Sequence, residues 1–374
     1  MNAKEILDRL VGFPSVVGTP NDGIVAWIRD FAERCGAKVT VLPGPEGDRA
    51  NVFATVGPNH VAGYILSGHM DVVPALEPTW TSDPFRLRAD GDLLFGRGTS
   101  DMKGFLAAAL AALPAIADMP LTRPLHFAFS YDEEAGCRGV PHLIRRLPEL
   151  CAKPVGAIIG EPSGLRAIRA HKGKAAARVE IRGRSGHSSR PDQGLNAIHA
   201  FACVLLAAVR TEEALQSSRI DSSFEPPYSS LQVGIVSGGQ AVNIIPDCLT
   251  AEIEARAITG VTPADLLEPV RLAAVALEQR GFQTHWDLLS SYPALSLAAD
   301  APLARLLEEL TGAETLAAVS YGTEAGLYQA AGIDAIICGP GDIARAHRAD
   351  EFIHADELTA CQAMIARLAE TLRS

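Results

Sequence analysis

The sequence predicts an α/β core interrupted by a smaller inserted α+β domain. Three observations carry that expectation. Continuous apolar runs such as "NVFATVG", "AGYILSGHMD", "LHFAFSYDEE" and "VGAIIGEPS" alternate with helical stretches, the pattern of a sheet covered on both faces. The middle of the chain changes to long alternating strands, "KAAARVEIRGRSGHSS" and "SSLQVGIVSGGQAVNIIPDCLTAEIEARAI", accompanied by two strong helical segments. After about Gln283 the first pattern returns, with "DAIICGPGD" as a buried strand and "ELTACQAMIARLAETLR" as a closing helix. The expected boundaries are 1–174 for the first part of the core, 175–282 for the inserted domain and 283–374 for the second part.

Taken in order, "MNAKEILDRLVGF" reads as an amphipathic helix and lacks the apolar centre of a signal peptide. "GIVAWIRDFAERCGAKV" is a helix ending at Gly36, followed by a strand from about Ala37. The apolar "GFLAAALAALPAIA" is a helix too short to span a bilayer and is interrupted by Pro114. "VPHLIRRL" is a further helix before the strand in "VGAIIGEPS". In the inserted domain the helices are "GLNAIHAFACVLLAAVRTEEAL" and "PADLLEPVRLAAVALEQRG". With 374 residues, 48% of them hydrophobic, the chain can bury a large core.

Net charge is −11, from 44 acidic against 33 basic residues, which argues against a nucleic-acid partner. Seven scattered cysteines, never spaced as CxxC, read as free thiols of a reducing compartment, so a cytoplasmic protein with no membrane partner is expected.

Chemistry-bearing side chains gather where apolar runs end. His69 and Asp71 follow "YILSG", Asp101 follows "LLFGRGTS", Glu133 and Glu134 follow "HFAFSYD", Glu161 follows "AIIG", and His347 follows "AIICGPGDIARA". In open α/β sheets, sites form beyond the carboxyl ends of strands. Each residue alone has an ordinary structural use: a hydrogen-bonding histidine, an N-cap at Asp101, a turn at Glu161-Pro162. Together they supply two imidazoles and several carboxylates, the donors that divalent zinc accepts, and the count suits two ions better than one. Asp71, two residues after His69, is placed to hold the imidazole in the tautomer a metal needs. Glu133 is left over as a general base. If Glu133 and Glu134 serve one site, the chain must turn at Glu133, eased by Gly136. Asp132 is assigned only a local backbone hydrogen bond.

The segments "SGHMDVVPA", "GRGTSDMKG", "YDEEAG", "IGEPS", "GRSGHSSRPDQGLNAI", "VNIIPD" and "GPGDIARAHRADEFI" resemble, in order, the signatures of the di-zinc amidohydrolase and exopeptidase family. That family includes acetylornithine deacetylase, succinyl-diaminopimelate desuccinylase, aminoacylases and glutamate carboxypeptidases. "RAHKGK", "SYGTEAG" and "GPGDIARAH" give the strongest likeness to the acetylornithine deacetylase branch. The resemblance implies a metallohydrolase core with a lid or dimerisation domain inserted in it. It also implies two divalent ions, zinc or alternatively cobalt, and a homodimer. His69 and Glu161 would hold one ion, Glu134 and His347 the other, with Asp101 shared and followed by a cis peptide. Glu133 would move the proton, and His187, which in dimeric relatives comes from the neighbouring subunit, would polarise the scissile carbonyl. From spacing alone "SGHSS" reads rather as a serine-rich helix cap. Asn243 and Arg256 resemble positions that hold the oxyanion and the substrate carboxylate. Glu324 would meet a side-chain ammonium, although a glutamate in a first helical turn also suits the helix dipole.

The implied reaction is hydrolysis of an N-acylated amino acid, with N2-acetyl-L-ornithine giving ornithine and acetate for arginine biosynthesis. A broader deacylase or dipeptidase, a desuccinylase, and an inactive relative that only binds are the alternatives. Two departures stand out: Met70 where relatives carry a smaller or polar residue, and Gly322 where the nearest deacetylases carry cysteine.

Overall fold

A computed structural model describes residues 1–373. The chain divides into two compact units, one made of Met1–Ala170, Leu295–Ala317 and the chain from Thr323 on, the other of His171–Ala294 and Ala318–Gly322.

The first unit is built on a six-stranded sheet. Its order is Lys38–Pro43, Ala50–Val56, Leu125–Ser130, Tyr64–His69, Gly156–Pro162, Asp334–Gly339. The last four are mutually parallel, so their carboxyl ends lie along one edge. All six residues of Tyr64–His69 and of Leu125–Ser130 are buried, as continuous apolar strands of a doubly covered sheet should be. The amino-terminal helix Ala3–Val11 starts with a reciprocal cap, in which Asn2 Oδ1 accepts from the Glu5 amide and Glu5 Oε2 from the Asn2 amide. Helix Lys103–Ala117 is apolar almost all round and accordingly buried, packed against Ala3–Val11 and Ala355–Glu370. It presses hard on the sheet: a Cβ at Gly160 would lie 2.0 Å from the Phe105 ring. Only glycine fits there, and the contact fixes Asp101, just before the helix, over the strand ends.

The second unit is a four-stranded antiparallel sheet, ordered Ser230–Gly238, Cys248–Ala257, Gly173–Arg182, Gln283–Tyr292. Alternate residues Ala175, Ala177, Val179 and Ile181, with Leu249, Ala251, Ile253 and Ala255, form one core with Phe201 and Val204 of helix Ala197–Gln216 and Val270 of helix Glu268–Ala276. This is the half-buried pattern that strict alternation dictates.

The expected α/β class with an inserted α+β unit is observed. The boundaries and two strands differ from expectation. The second unit begins at His171 rather than at 175 and also takes in Ala318–Gly322. Residues 283–292, assigned to the returning core, form an edge strand of the inserted sheet, paired along Gly173–Arg182. A register shift between Leu288 and Ser290 breaks the alternation that would have marked it. Leu93–Phe95, before Asp101, is no core strand but part of a small separate antiparallel sheet with Arg88–Asp90 and Phe352–His354.

Candidate metal centre

The parallel strand ends bring the predicted residues of the first unit together. His69 closes one strand and Glu161 lies near the end of its neighbour. Glu133 and Glu134 follow the strand ending at Ser130. Asp101 comes from the turn before helix Lys103–Ala117, its peptide to Met102 cis. His347 comes from the loop after the strand ending at Gly339, with a left-handed φ of 58°.

Asp101 stands at the middle. Its Oδ1 lies 3.0 Å from His69 Nε2 and its Oδ2 3.4 Å from His347 Nε2. Each imidazole then faces a second carboxylate: His69 Nε2 is 3.9 Å from Glu161, and His347 Nε2 is 3.0 Å from Glu134. Donor atoms of His69, Glu133 and Glu161 lie within 4.8 Å of one another, as do those of His69, Asp101 and Glu134. The Nδ1 of His69 donates to the Asp71 carbonyl at 2.9 Å. A carbonyl can only accept, so Nδ1 carries the hydrogen and Nε2 is the atom aimed at the acids.

The electrostatics of this cluster call for cations. Burial drives the Glu161 carboxyl well above its usual range, and the charges of Asp101 and Glu133 add to it. Burial likewise lifts Glu133 to about 8 against the pull of His69, with Glu134 and Asp71 reinforcing it. Asp71 rises to about 7, chiefly by burial. Asp101 goes the other way: burial opposes its charge, but hydrogen bonds from His347 and His69 outweigh it and hold its pKa low. Those bonds to Asp101 and Glu134 lift His347 to about 10. For His69 burial opposes the charge, yet Asp101, Asp71 and Glu161 raise it well above the ordinary value. Protons on the two imidazoles thus stand between carboxylates that divalent ions would neutralise more fully. The donor set fits such ions.

Asp71 does something different from the expected imidazole clamp. Its carboxylate is 3.6 Å from His69 Nδ1 and instead accepts from the backbone amides of Glu133, at 3.1 Å, and Glu134, at 3.2 Å. The main chain of Asp71 holds the imidazole while its side chain holds the turn bearing both glutamates. That turn pivots at Asp132, whose φ is 51°, rather than at Glu133; Gly136 and Cys137 also take positive φ. The Asp132 carbonyl accepts locally, from the Arg138 amide at 3.0 Å, but its carboxylate reaches further along the chain. It accepts from the Gly18 amide and pairs with Arg49. Glu133 Oε1 accepts from the Cys137 thiol at 3.3 Å, a contact the sequence reading missed.

In the second unit, His187 and Asn243 are brought together by a two-strand ladder in which His187 pairs with Ile244. The Ser188 amide donates to the Asn243 carbonyl at 3.0 Å, and His187 Nδ1 meets Ser189 Oγ at 2.7 Å. Both His187 and Asn243 are exposed. Arg256 is half-buried on the strand beside Lys174, its Nε donating to Glu254 at 2.7 Å. Burial opposes its charge, but Tyr292 and Glu254 raise its pKa. A Cβ at Gly322 would lie 2.5 Å from the Tyr292 ring, so glycine at that departure is required by the ring. Met70 is wholly buried in the core of the first unit.

Glu324 departs from its expected place. It is 1% exposed, with Oε1 accepting from Ser67 at 2.5 Å and Oε2 from Ser130 at 2.7 Å, while Ser67 Oγ also meets the Tyr328 hydroxyl. Its carboxylate joins two neighbouring strands through Ser67 and Ser130. Arg97 and Glu351 form a buried ion pair beside the Asp101 turn, one that no local sequence pattern indicates because 254 positions separate them.

Parallel strand ends that converge histidines and carboxylates on one shared aspartate define a metal-dependent hydrolase. Residues 65–371 match peptidase family M20/M25/M40, and the chain belongs to that family. It is similar to the acetylornithine deacetylases of Proteus mirabilis and Klebsiella pneumoniae, 34% identical to each over 93% of this chain, covering 91% and 92% of theirs. The fold is shared with an M20 family metallo-carboxypeptidase from Sulfolobus solfataricus, at TM-score 0.81, 18% identity, and 100% and 99% coverage. A tripeptidase from Staphylococcus aureus is similar at TM-score 0.76, 19% identity, and 100% and 98% coverage. Among the described residues no helix is long and apolar enough to cross a membrane.

Proposed function

We propose that this hydrolase cleaves the amide of an N-acylated amino acid, with N2-acetyl-L-ornithine, giving L-ornithine and acetate, the favoured substrate. The observation that carries the chemistry is the Asp101 carboxylate, one oxygen turned to His69 and the other to His347, each imidazole having its own further acid. His69 and Glu161 would hold one divalent ion, Glu134 and His347 a second, with Asp101 shared. Two zinc ions, or cobalt in their place, supply Lewis acidity to the acyl carbonyl and acidify water. Glu133, next to the ligand Glu134 and bonded by Cys137, takes the proton from water and delivers it to the departing amine.

In the second unit His187, and Asn243 next to its ladder partner Ile244, are the donors for the developing oxyanion, and Arg256 is the partner for the substrate carboxylate. We assign the homodimer to the second unit. Its edge strand Ser230–Gly238 exposes Ile235 and Val236, 56% and 52% accessible, and helix Ala197–Gln216 exposes Leu205, Leu206 and Val209. An unpaired apolar edge of this kind favours pairing with a second copy. All seven cysteines are free, which supports a cytoplasmic setting. The substrate choice rests on the similarity to acetylornithine deacetylases over most of both chains.

Metal-free protein reconstituted with zinc or cobalt and assayed on acetylornithine, acetylmethionine, a dipeptide and succinyl-diaminopimelate tests this reading. The highest kcat/KM is expected on acetylornithine, with no turnover before metal is restored. A preference for the dipeptide or the succinyl compound would overturn the substrate assignment.

A further inference from the structure

We infer that Glu351 is a positioning residue for the metal centre, a buried carboxylate whose hydrogen bonds set the turn that presents Asp101. This rests on the reading of Asp101 as the shared ligand. Glu351 is 1% exposed, and both of its oxygens are fully used. Oε1 accepts from the backbone amides of Ser100, at 2.9 Å, and Asp101, at 3.0 Å. Oε2 accepts from the Gly98 amide and from Arg97 Nη1, both at 3.0 Å. Three amides of one turn, those of Gly98, Ser100 and Asp101, thus converge on one carboxylate, while the intervening Thr99 amide bonds the Gly96 carbonyl.

The bonding continues outward through Arg97. Its Nη1 also donates to the Arg348 carbonyl, and its Nη2 donates to the Pro74 carbonyl and to Glu77 at 2.7 Å. The segments after His69, around Asp101 and after His347 are thereby tied to one ion pair. Ser100 adds a second tie, its hydroxyl donating to the Asp342 carbonyl while the Asp342 amide donates back to it. Such bonds act on the distance between the two ion positions, because they fix where Asp101 stands between His69 and His347.

The test uses two variants of the full chain. Glu351→Gln keeps the shape but turns a donor amide toward donor groups. Glu351→Asp keeps the charge opposite Arg97 but withdraws the carboxylate by one methylene, and it decides the matter if the Gln variant does not fold. Metal-free protein is titrated calorimetrically with zinc, the absorption spectrum of the cobalt form is recorded, and melting is followed in both states. The wild type is expected to take up two ions, and each variant to bind about 10–100-fold more weakly with a shifted cobalt spectrum. The variants' kcat should fall while KM changes little. Variants that melt lower yet bind metal and show the cobalt spectrum of the wild type would reduce Glu351 to a fold-stabilising role and overturn the inference. A wild type that takes up no pair of ions would take the metal-centre reading down with it.

Discussion

The acid cluster of the first unit and the His187–Ile244 ladder of the second, with Asn243 beside it, handle polar side chains in opposite ways. Asp71, Asp101 and Glu161 are buried, and each is engaged by a backbone amide or an imidazole. His187 and Asn243 are exposed, the first on a strand of two residues and the second in the turn before another, and the imidazole leans on a serine two positions away. A buried cluster of like charges persists only if positive charge is supplied to it, so the first region is preorganised for ions. An exposed imidazole is screened by water and gains strength only when something excludes that water. The first region is thus built to receive cations, and the role proposed for His187 predicts that it acts only where water is excluded.

Removing the acid proposed to carry the proton should have the largest effect. Glu133→Gln is expected to lower kcat by about 10²–10⁴-fold while zinc content and melting temperature stay near wild type. Retained turnover with both metals in place would show that Glu133 moves no proton. His187→Ala tests the second region, with an expected loss of about 10²–10³-fold in kcat and no change in metal content. A matching loss of bound zinc would erase the distinction between the regions.

Breaking the apolar edge gives a smaller and more selective effect. Val236→Glu places a charge on the exposed strand, and its solution mass by light scattering should fall to that of one chain. Activity should then decline in parallel with dissociation if His187 needs a partner's cover. A monomer as active as the wild type would remove that need.

What could be read from the sequence was what each short segment states by itself. Continuous apolar strands announced the parallel sheet, and a histidine or acid just past each end announced the cluster. Apart from the Cys137–Glu133 bond, four positions apart, the missed contacts joined residues far apart in the chain. Asp132 meets Arg49 and Gly18, 83 and 114 positions away, so no local pattern could replace the guess of a backbone hydrogen bond. The pivot at Asp132 was hidden for the same reason, since a left-handed aspartate depends on what its carboxylate finds. Strand Gln283–Tyr292 was misplaced because its bulge interrupts the period that identifies strands.

Glu324 gives the smallest predicted effect and the sharpest reversal. Read as a segment, "SYGTEAG" suggests an acid facing a substrate ammonium, and Glu324→Gln would then penalise acetylornithine far more than acetylmethionine. In the fold its partners are Ser67 and Ser130, 257 and 194 positions away, at the ends of the strands that carry His69 and lead to Glu133. A glutamine can keep the bond accepted by its oxygen, and the other serine can rotate to accept from the amide. The expected cost is then about 1–2 kcal/mol in stability, read as a lower melting temperature. Turnover should fall by the same factor on both substrates, because the strand ends shift together and no ligand contact is lost. A loss confined to acetylornithine would place the carboxylate back in the binding pocket and contradict its buried position.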